Sequence, residues 1–411
     1  MEQDAVIAAA EEILTKRYGG IQRLSDVTRL SGSGQAGVFR ARVAHNPFLQ
    51  HRSVVIKHAP ETGYALDDAA FLREVVAYQF TTSLSSEVRP GPVLLGYDTA
   101  KRMLIISDSG DGDTLAAMLE EANEAQLVQI LRNLGTALGR MHAGTAGKEE
   151  QFNVLFTRLT RSRTGAERIQ ALRDRLLAHR IRLGLAMVEQ SGIEVPTEVS
   201  LTAANIQNRL LRGGVRAFTP FDLSPDNVLY TDRGTQFLDY EWAGFRDATF
   251  DAAFVVAGFP LYISPQHYNE DAVHAFIDAW LAEVADTWPL LKHEDTLQAR
   301  ITGSLIGWAL SSLSVLNPVA LAEVVAGDEE LAAEFERAGI DFEEDIEEVD
   351  APATGDVLRP GNQGPFTAAE RMVREDLHET FRALASYAGT GRDPAYLVIA
   401  DFADRVATRL R

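Results

Sequence analysis

Asp222, Asn227 and Asp239 sit where apolar, strand-like runs of the sequence end. In "FDLSPDNVLY" (221–230), Asp222, Asp226 and Asn227 form the polar middle of a string flanked by "RAFTP" and "VLY". Soon afterwards "FLDYEWAG" (237–244) again ends a strand on a carboxylate, Asp239. Ordinary turns also use Asp and Asn, but two anions and an amide on adjacent strand ends add nothing to a core. A second set lies upstream: Gly32, Ser33, Gly34 and Gly37 in "SGSGQAGVFRARV", Lys57 in "VVIK" and Glu74 in "FLREVVAYQF". The G-x-G-x-x-G spacing is also that of dinucleotide folds. Those turn into a helix and expect an acid about 20 residues on. Here Gly37 leads into the alternating run Val38–Val43, and the residue at that distance is Lys57. Glycines let backbone N–H groups approach phosphate oxygens, Lys57 supplies a point charge, and Glu74 holds it. The chemistry implied is the covering of nucleotide phosphates by a glycine hairpin.

The elements that must carry these residues change texture once along the chain. From about 25 to 108 the signal is alternation, in "GVFRARV", "SVVIKHAP", "PVLLGYD" and "RMLIISDS", bounded by turn residues. One helical stretch interrupts it at 66–84, where Phe71, Val75 and Tyr78 mark the buried face and Glu74 borders it. Past 113 the period is that of amphipathic helices, including a basic one through 161–190 and nearly everything after 265. The expected class is α+β: an N-terminal helix over 1–20, capped by Asp4 and stopped by Gly19-Gly20; a small antiparallel sheet lobe with one helix over 21–108; and a larger, mainly helical lobe over 109–411. The second lobe would hold the strand island 216–243, inserted helices at about 150–215 and an acidic stretch at about 327–365, read as partly helical and then a solvated loop.

With 411 residues, 46% of them apolar, the chain has material for two or three compact units. A formal net charge of −20 argues against nucleic acid as partner and is compatible with a cationic substrate. The absence of cysteine removes disulfides, thiolate nucleophiles and zinc ribbons, and fits a reducing cytoplasm. The first residues carry acids where a secretory leader carries bases, and "ITGSLIGWALSSLSVL" (301–316), short and rich in serine, reads as a buried helix rather than a membrane span. Oligomeric state leaves no mark on the sequence.

Taken in order, the glycine loop, the strand lysine, the helix glutamate, "LIISDSGDGDTL", "LGTALGRMHAG", D-L-x-P-x-N and the D-x-E strand end resemble the aminoglycoside phosphotransferase and choline kinase group, over roughly 25–260. The resemblance implies a bilobal protein-kinase-like fold and ATP- and Mg²⁺-dependent transfer of a phosphoryl group to a hydroxyl of a small molecule. It makes Asp222 the catalytic base, Asn227 and Asp239 the metal ligands, and Gly32, Ser33, Gly34, Gly37, Lys57 and Glu74 the phosphate-binding set. It also makes Ser107, Asp108 and Ser109 the linker whose backbone meets the adenine. Asp251 corresponds to an aspartate that ties the catalytic loop down, and His142 is read as packing.

One departure stands out. The family writes H-x-D at the base, and this chain has Pro220-Phe221-Asp222. That keeps open a nucleotide-binding pseudokinase or a regulatory domain. A dehydrogenase lacks its ribose acid here. A protein kinase would show an arginine before Asp222 and a segment closing an activation loop, and neither is present. The acceptor stays open: Asp247, Glu270 and Asp271 suit a cation, Trp242, Tyr268 and Trp280 a sugar or quaternary amine, and the arginines of 161–185 an anionic partner.

Overall fold

The computed structural model of the chain describes residues 2–30, 36–161, 163, 165–262, 268–316, 329–340 and 356–411. Helix α1 (Gln3–Tyr18) is followed by strands β1 (Leu24–Arg29), β2 (Gly37–Val43) and β3 (Ser53–His58), helix α2 (Ala65–Ser83), and strands β4 (Leu94–Asp98) and β5 (Met103–Ser107). The five strands form one antiparallel sheet in the order β1-β2-β3-β5-β4. Because side chains alternate between faces, the sheet separates two cores. Val54 and Ile56 of β3, with Met103 and Ile105 of β5, pack under α1 against Val6, Ala10 and Leu14. Val55, Leu104 and Ile106 point the other way, into the core that holds Phe71, Val75 and Tyr78 of α2. Lys57 shares the parity of Val55 and therefore emerges on the α2 side. Two readings of α1 differ from expectation in a small way: Glu2, not Asp4, is the residue before the first turn, while Gly19 with φ 76° does end the helix.

The rest of the molecule is mainly helical, and the whole is an α+β fold. Helices α3 (Leu115–Glu121), α4 (Glu124–Thr145), α5 (Glu149–Thr160), α6 (Ala166–Gln190) and α7 (Thr197–Arg212) precede the island. Helices α8 (Thr249–Val256), α9 (Glu270–Val284), α10 (Glu294–Val315), α11 (Glu329–Ala338), α12 (Ala368–Gly389) and α13 (Pro394–Leu410) follow it. The serine-rich stretch read as a buried helix is the inner part of α10, with Ile301 to Leu310 all buried. The island is two small sheets: β6 (Asp113–Thr114) pairs with β8 (Val228–Thr231), which pairs with β9 (Gly234–Phe237), while β7 (Arg216–Thr219) pairs with β10 (Gly244–Asp247). β6 and β10 are too short for a period to show.

The basic stretch 161–190, read as one helix, begins as α6 only after Gly165, with φ 86°, and Arg173 within it is 4% exposed. The acidic stretch is helical at Glu329–Ala338, and parts of it are buried. Phe335 and Ile340 pack on Leu172 and Leu183 of α6, and Val357 and Leu358 lie in the main core; residues 341–355 lie outside the described set.

α6 and α10 cross closely at Gly184, where an added Cβ would stand 1.8 Å from the Leu310 carbonyl oxygen. Gly184→Ala is thus expected to force the two helices apart and destabilise the protein by about 1–3 kcal/mol, read as a lower urea midpoint. An unchanged midpoint would contradict this packing.

Candidate active site

The parity that sends Lys57 toward α2 brings it to Glu74: Lys57 Nζ donates to Glu74 Oε1 at 3.0 Å and to Asp239 Oδ1 at 2.9 Å. Lys57 and Asp239, 182 positions apart, thereby meet directly. Burial opposes the charge of Lys57, but Glu74, Asp239 and Glu241 together raise its pKa, so it stays protonated. Glu74 is almost fully enclosed; burial and the nearby Asp239 push it up, to about 8, against the pull of Lys57. Arg73, the neighbour of Glu74, is itself buried and donates to Gln170, Asp174 and the Ala243 carbonyl, so α2 is tied both to α6 and to the segment after Asp239.

Asp222 sits in a loop between β7 and β8. Its Oδ1 accepts from the Ser224 backbone N–H at 3.0 Å and from the Ser224 hydroxyl, and its Oδ2 accepts from Asn227 Nδ2 at 3.2 Å. Burial and the charge of Asp239 raise its pKa, while Ser224 and Lys57 work in the opposite direction. The 3₁₀ turn Pro225–Asn227 places Asn227 beside it, and the Leu238 N–H donates to the Asn227 carbonyl at 2.8 Å, latching the loop to the strand that carries Asp239. Phe221 and Asp239 both adopt left-handed backbone, with φ of 69° and 54°. Such strain in non-glycine residues persists where the surroundings over-determine it.

What holds Phe221 is visible. Its ring packs on Trp308 at 4.9 Å and lies under the Arg246 guanidinium at 4.8 Å. Its backbone N–H stabilises the buried Asp251 carboxylate. Trp280 Nε1 donates to His142 Nδ1 at 3.0 Å, which leaves His142 Nε2 to donate to Asp251 at 3.2 Å. His142 is fully buried and works through Asp251, not on a ligand. Pro220 offers no side-chain donor, and the loop is held by Phe221 and Asp251 instead. Ser224 was missed in the sequence, where a serine in a turn carries no signal.

The remaining candidates fall into three groups. Gly32, Ser33 and Gly34 lie outside the described residues; Gly37 opens β2 opposite His58, and the Leu30 N–H donates to the Val38 carbonyl at 2.9 Å. Along the linker, Ser107 Oγ accepts from the Val93 N–H at 2.9 Å, Asp108 pairs with Arg40 at 3.1 Å, and Ser109 donates to Gln236 at 2.6 Å. These side chains brace the linker. Among the acceptor candidates, Asp247 is sealed by Arg209 at 2.9 Å and Arg300 at 3.2 Å, and Trp280 is enclosed, so neither faces a ligand; Tyr268 is half-buried, away from Asp222. Trp242 is partly exposed, beside Glu241. A cavity of about 200 Å³ between α9 and α12, lined by Tyr268, His274 and Arg382, contains none of the groups around Asp222.

Burial, then repulsion by Asp239, lift Glu241 to about 7, against the pull of Lys57 and Arg173. A carboxyl whose pKa is higher folded than unfolded binds an extra proton in the folded state. Its contribution therefore lowers stability as pH rises from the unfolded value of 4.5 through about 7. Glu241→Gln is expected to melt higher than wild type at pH 8 in metal-free buffer and to converge with it near pH 4.5. Superimposable pH profiles would remove Glu241 from this charge balance.

Among the described residues no three His, Cys, Asp or Glu side chains form a closed metal cage. Mg²⁺ does not require one: it is usually held by one or two carboxylates together with substrate phosphates. Asp239 keeps Oδ2 clear of the Lys57 bond, and Asn227, having turned its amide nitrogen to Asp222, keeps its carbonyl oxygen. Around them Glu74, Asp222, Asp239 and Glu241 face Lys57, an excess of negative charge that a divalent cation would balance. The donor set fits the ion.

A profile of the phosphotransferase enzyme family (APH) matches residues 48–293, more than half of the chain. No curated protein matches the chain in sequence. Among solved structures, the choline kinase of Cryptosporidium parvum Iowa II is similar at 14% identity over 82% of this chain and 94% of its own, with TM-score 0.44. Amicoumacin kinase hAmiN, in complex with AMP-PNP, Ca²⁺ and Ami, gives 13% identity, 87% and 96% coverage and TM-score 0.43. The ADP-bound aminoglycoside phosphotransferase APH(2'')-Ib gives 13% identity, 82% and 96% coverage and TM-score 0.41. The matched span runs from just before Lys57 through Glu74, Asp222, Asn227 and Asp239 to the start of α10, and the chain belongs to the phosphotransferase enzyme family, a small-molecule kinase on a bilobal protein-kinase-like fold.

Proposed function

We propose that the protein transfers the γ-phosphoryl group of ATP, with Mg²⁺, to a hydroxyl of a small molecule. The observation that carries this is the meeting of two hydrogen-bonded sets, Lys57 with Glu74 and Asp239, and Asp222 with Asn227, joined by the Leu238 N–H to Asn227 carbonyl bond and by the charge of Asp239 acting on Asp222. Bound Mg²⁺ would neutralise charge on the phosphates and orient them. Lys57, kept protonated and aimed by Glu74, contacts the phosphates beneath the glycine hairpin. Asp239 and Asn227 would hold the metal. Asp222 orients the acceptor hydroxyl and takes its proton as the oxygen attacks phosphorus; the bond from phosphorus to the β,γ-bridging oxygen breaks, leaving ADP and a phosphate monoester. Transfer through a loose transition state asks for positioning and charge stabilisation more than for a strong base. The lobes divide between these tasks, with residues 21–108 serving the nucleotide and 109–411 the acceptor.

Pro220, where the family carries histidine, favours a second reading: a domain that binds nucleotide without transfer. ADP formation from Mg²⁺–ATP across a panel of hydroxylated acceptors separates the two. Transfer lost in Asp222→Asn supports the enzyme, and binding without turnover on any acceptor supports the regulatory domain. Among the described residues no helix is long and apolar enough to cross a membrane.

A further inference from the structure

Two arginines from α6 converge on one indole beside the reaction centre. Arg173 and Arg180 are seven residues apart, about 10 Å along the helix axis. Yet their guanidinium carbons stand 4.2 and 5.9 Å from the centre of the Trp242 ring. Trp242 follows Glu241, whose carboxyl is electrostatically linked to Asp222 and Asp239. Arg173 is 4% exposed; it donates to the Glu241 carbonyl at 3.2 Å, and its buried Nε has no acceptor. Arg180 is partly accessible, and no described residue gives it a hydrogen bond or an ion pair. The acid that might have served both, Asp174, is held at about 2 by Arg73 and Arg246, at 2.8 and 2.6 Å.

A guanidinium withdrawn from water is costly unless paired. Burial pulls Arg180 down to about 10, and burial with the nearby Arg73 pulls Arg173 down to about 9. Guanidinium groups favour oxyanions, which they meet with paired N–H donors. The sealed Asp247 removes one of the acids that would otherwise suit a cation. Taking the transfer reading above as its basis, we propose that the acceptor is a hydroxylated small molecule bearing an oxyanion, a carboxylate or a phosphate, seated by Arg180 and Arg173 against Trp242 with its hydroxyl toward Asp222. The chemical step is unchanged: phosphorus leaves the bridging oxygen of ATP and bonds to the acceptor oxygen, whose proton goes to Asp222.

The test is a calorimetric titration of wild type and Arg180→Leu, both holding Mg²⁺ and ADP, with four probes: glycerol 3-phosphate, D-glycerate, glycerol and choline. At least one anion is expected to bind wild type more tightly than glycerol or choline does, and about tenfold or more weaker to the variant, in keeping with the loss of a charge-assisted pair. Which anion wins distinguishes phosphate from carboxylate. In buffer free of polyvalent anions, Arg180→Leu is also expected to melt no lower than wild type, because it removes an unpaired charge. A merely structural arginine would not behave so. Choline or glycerol binding as tightly as both anions, or equal anion affinity in the two proteins, would overturn the proposal. The transfer reading fails separately: intact anion binding with no ADP formed from Mg²⁺–ATP on any acceptor would remove the chemistry and leave the anion site standing. Transfer to neutral or cationic acceptors alone would do the reverse.

Discussion

Asp222→Asn is expected to lower kcat by about 10³-fold, within the range that a positioned base supplies, while the affinity for Mg²⁺–ATP changes little. The variant keeps the size of the side chain and an oxygen for Ser224, whose backbone and hydroxyl both donate to Asp222 Oδ1. It loses the capacity to take a proton. Its effect should thus fall on kcat, with nucleotide binding a control on the integrity of the loop. Single-turnover ADP formation measures it, and a variant with more than about a tenth of wild-type rate would assign the base elsewhere.

Asp239→Ala should have an effect at least as large by a different route. Asp239 is both the carboxylate proposed to bind the cation and a partner of Lys57 at 2.9 Å. Metal-assisted charge stabilisation supplies several kcal/mol, so kcat/KM is expected to fall by about 10³-fold or more. Unlike Asp222→Asn, this variant should also bind ATP with the same affinity whether or not Mg²⁺ is present. Lys57 keeps Glu74 at 3.0 Å, so affinity for metal-free nucleotide should survive. A variant that still tightens on ATP when Mg²⁺ is added would place the ion on other groups.

The legible part of the molecule was what local pattern controls. Alternation in the runs that form β3 and β5 showed the sheet, and the spacing in α2 put Glu74 at the edge of the buried side; the face on which Lys57 emerges became plain only with the two cores in view. D-L-x-P-x-N and D-x-E could be read because turns and strand ends bearing acids are unusual within apolar runs. What could not be read depends on contacts between distant segments. Nothing local reveals that Asp247 would be consumed by Arg209 and Arg300, or that Trp280 would bond His142. The arginines of α6 could be read as facing an anionic partner; which of them would be buried could not, because charge usually stays at the surface. Arg173 is buried against Trp242, which arrives from the segment after Asp239, while Asp174 on the same helix is taken by Arg73 and Arg246. Phe221, standing in for a missing histidine interaction, is held by Trp308 and Arg246 from two other elements.

The most direct test of the central claim is the thermal stability of the wild-type protein with ATP, in the presence of Mg²⁺ and in the presence of a chelator. A ligand at about 100 times its dissociation constant stabilises by roughly 2.7 kcal/mol, well within reach of a melting curve. The account predicts a clear upward shift with Mg²⁺–ATP, a smaller one with ATP and chelator, and loss of the difference in Asp239→Ala. Equal shifts with and without the metal would contradict it, and would leave a nucleotide-binding domain in place of a kinase.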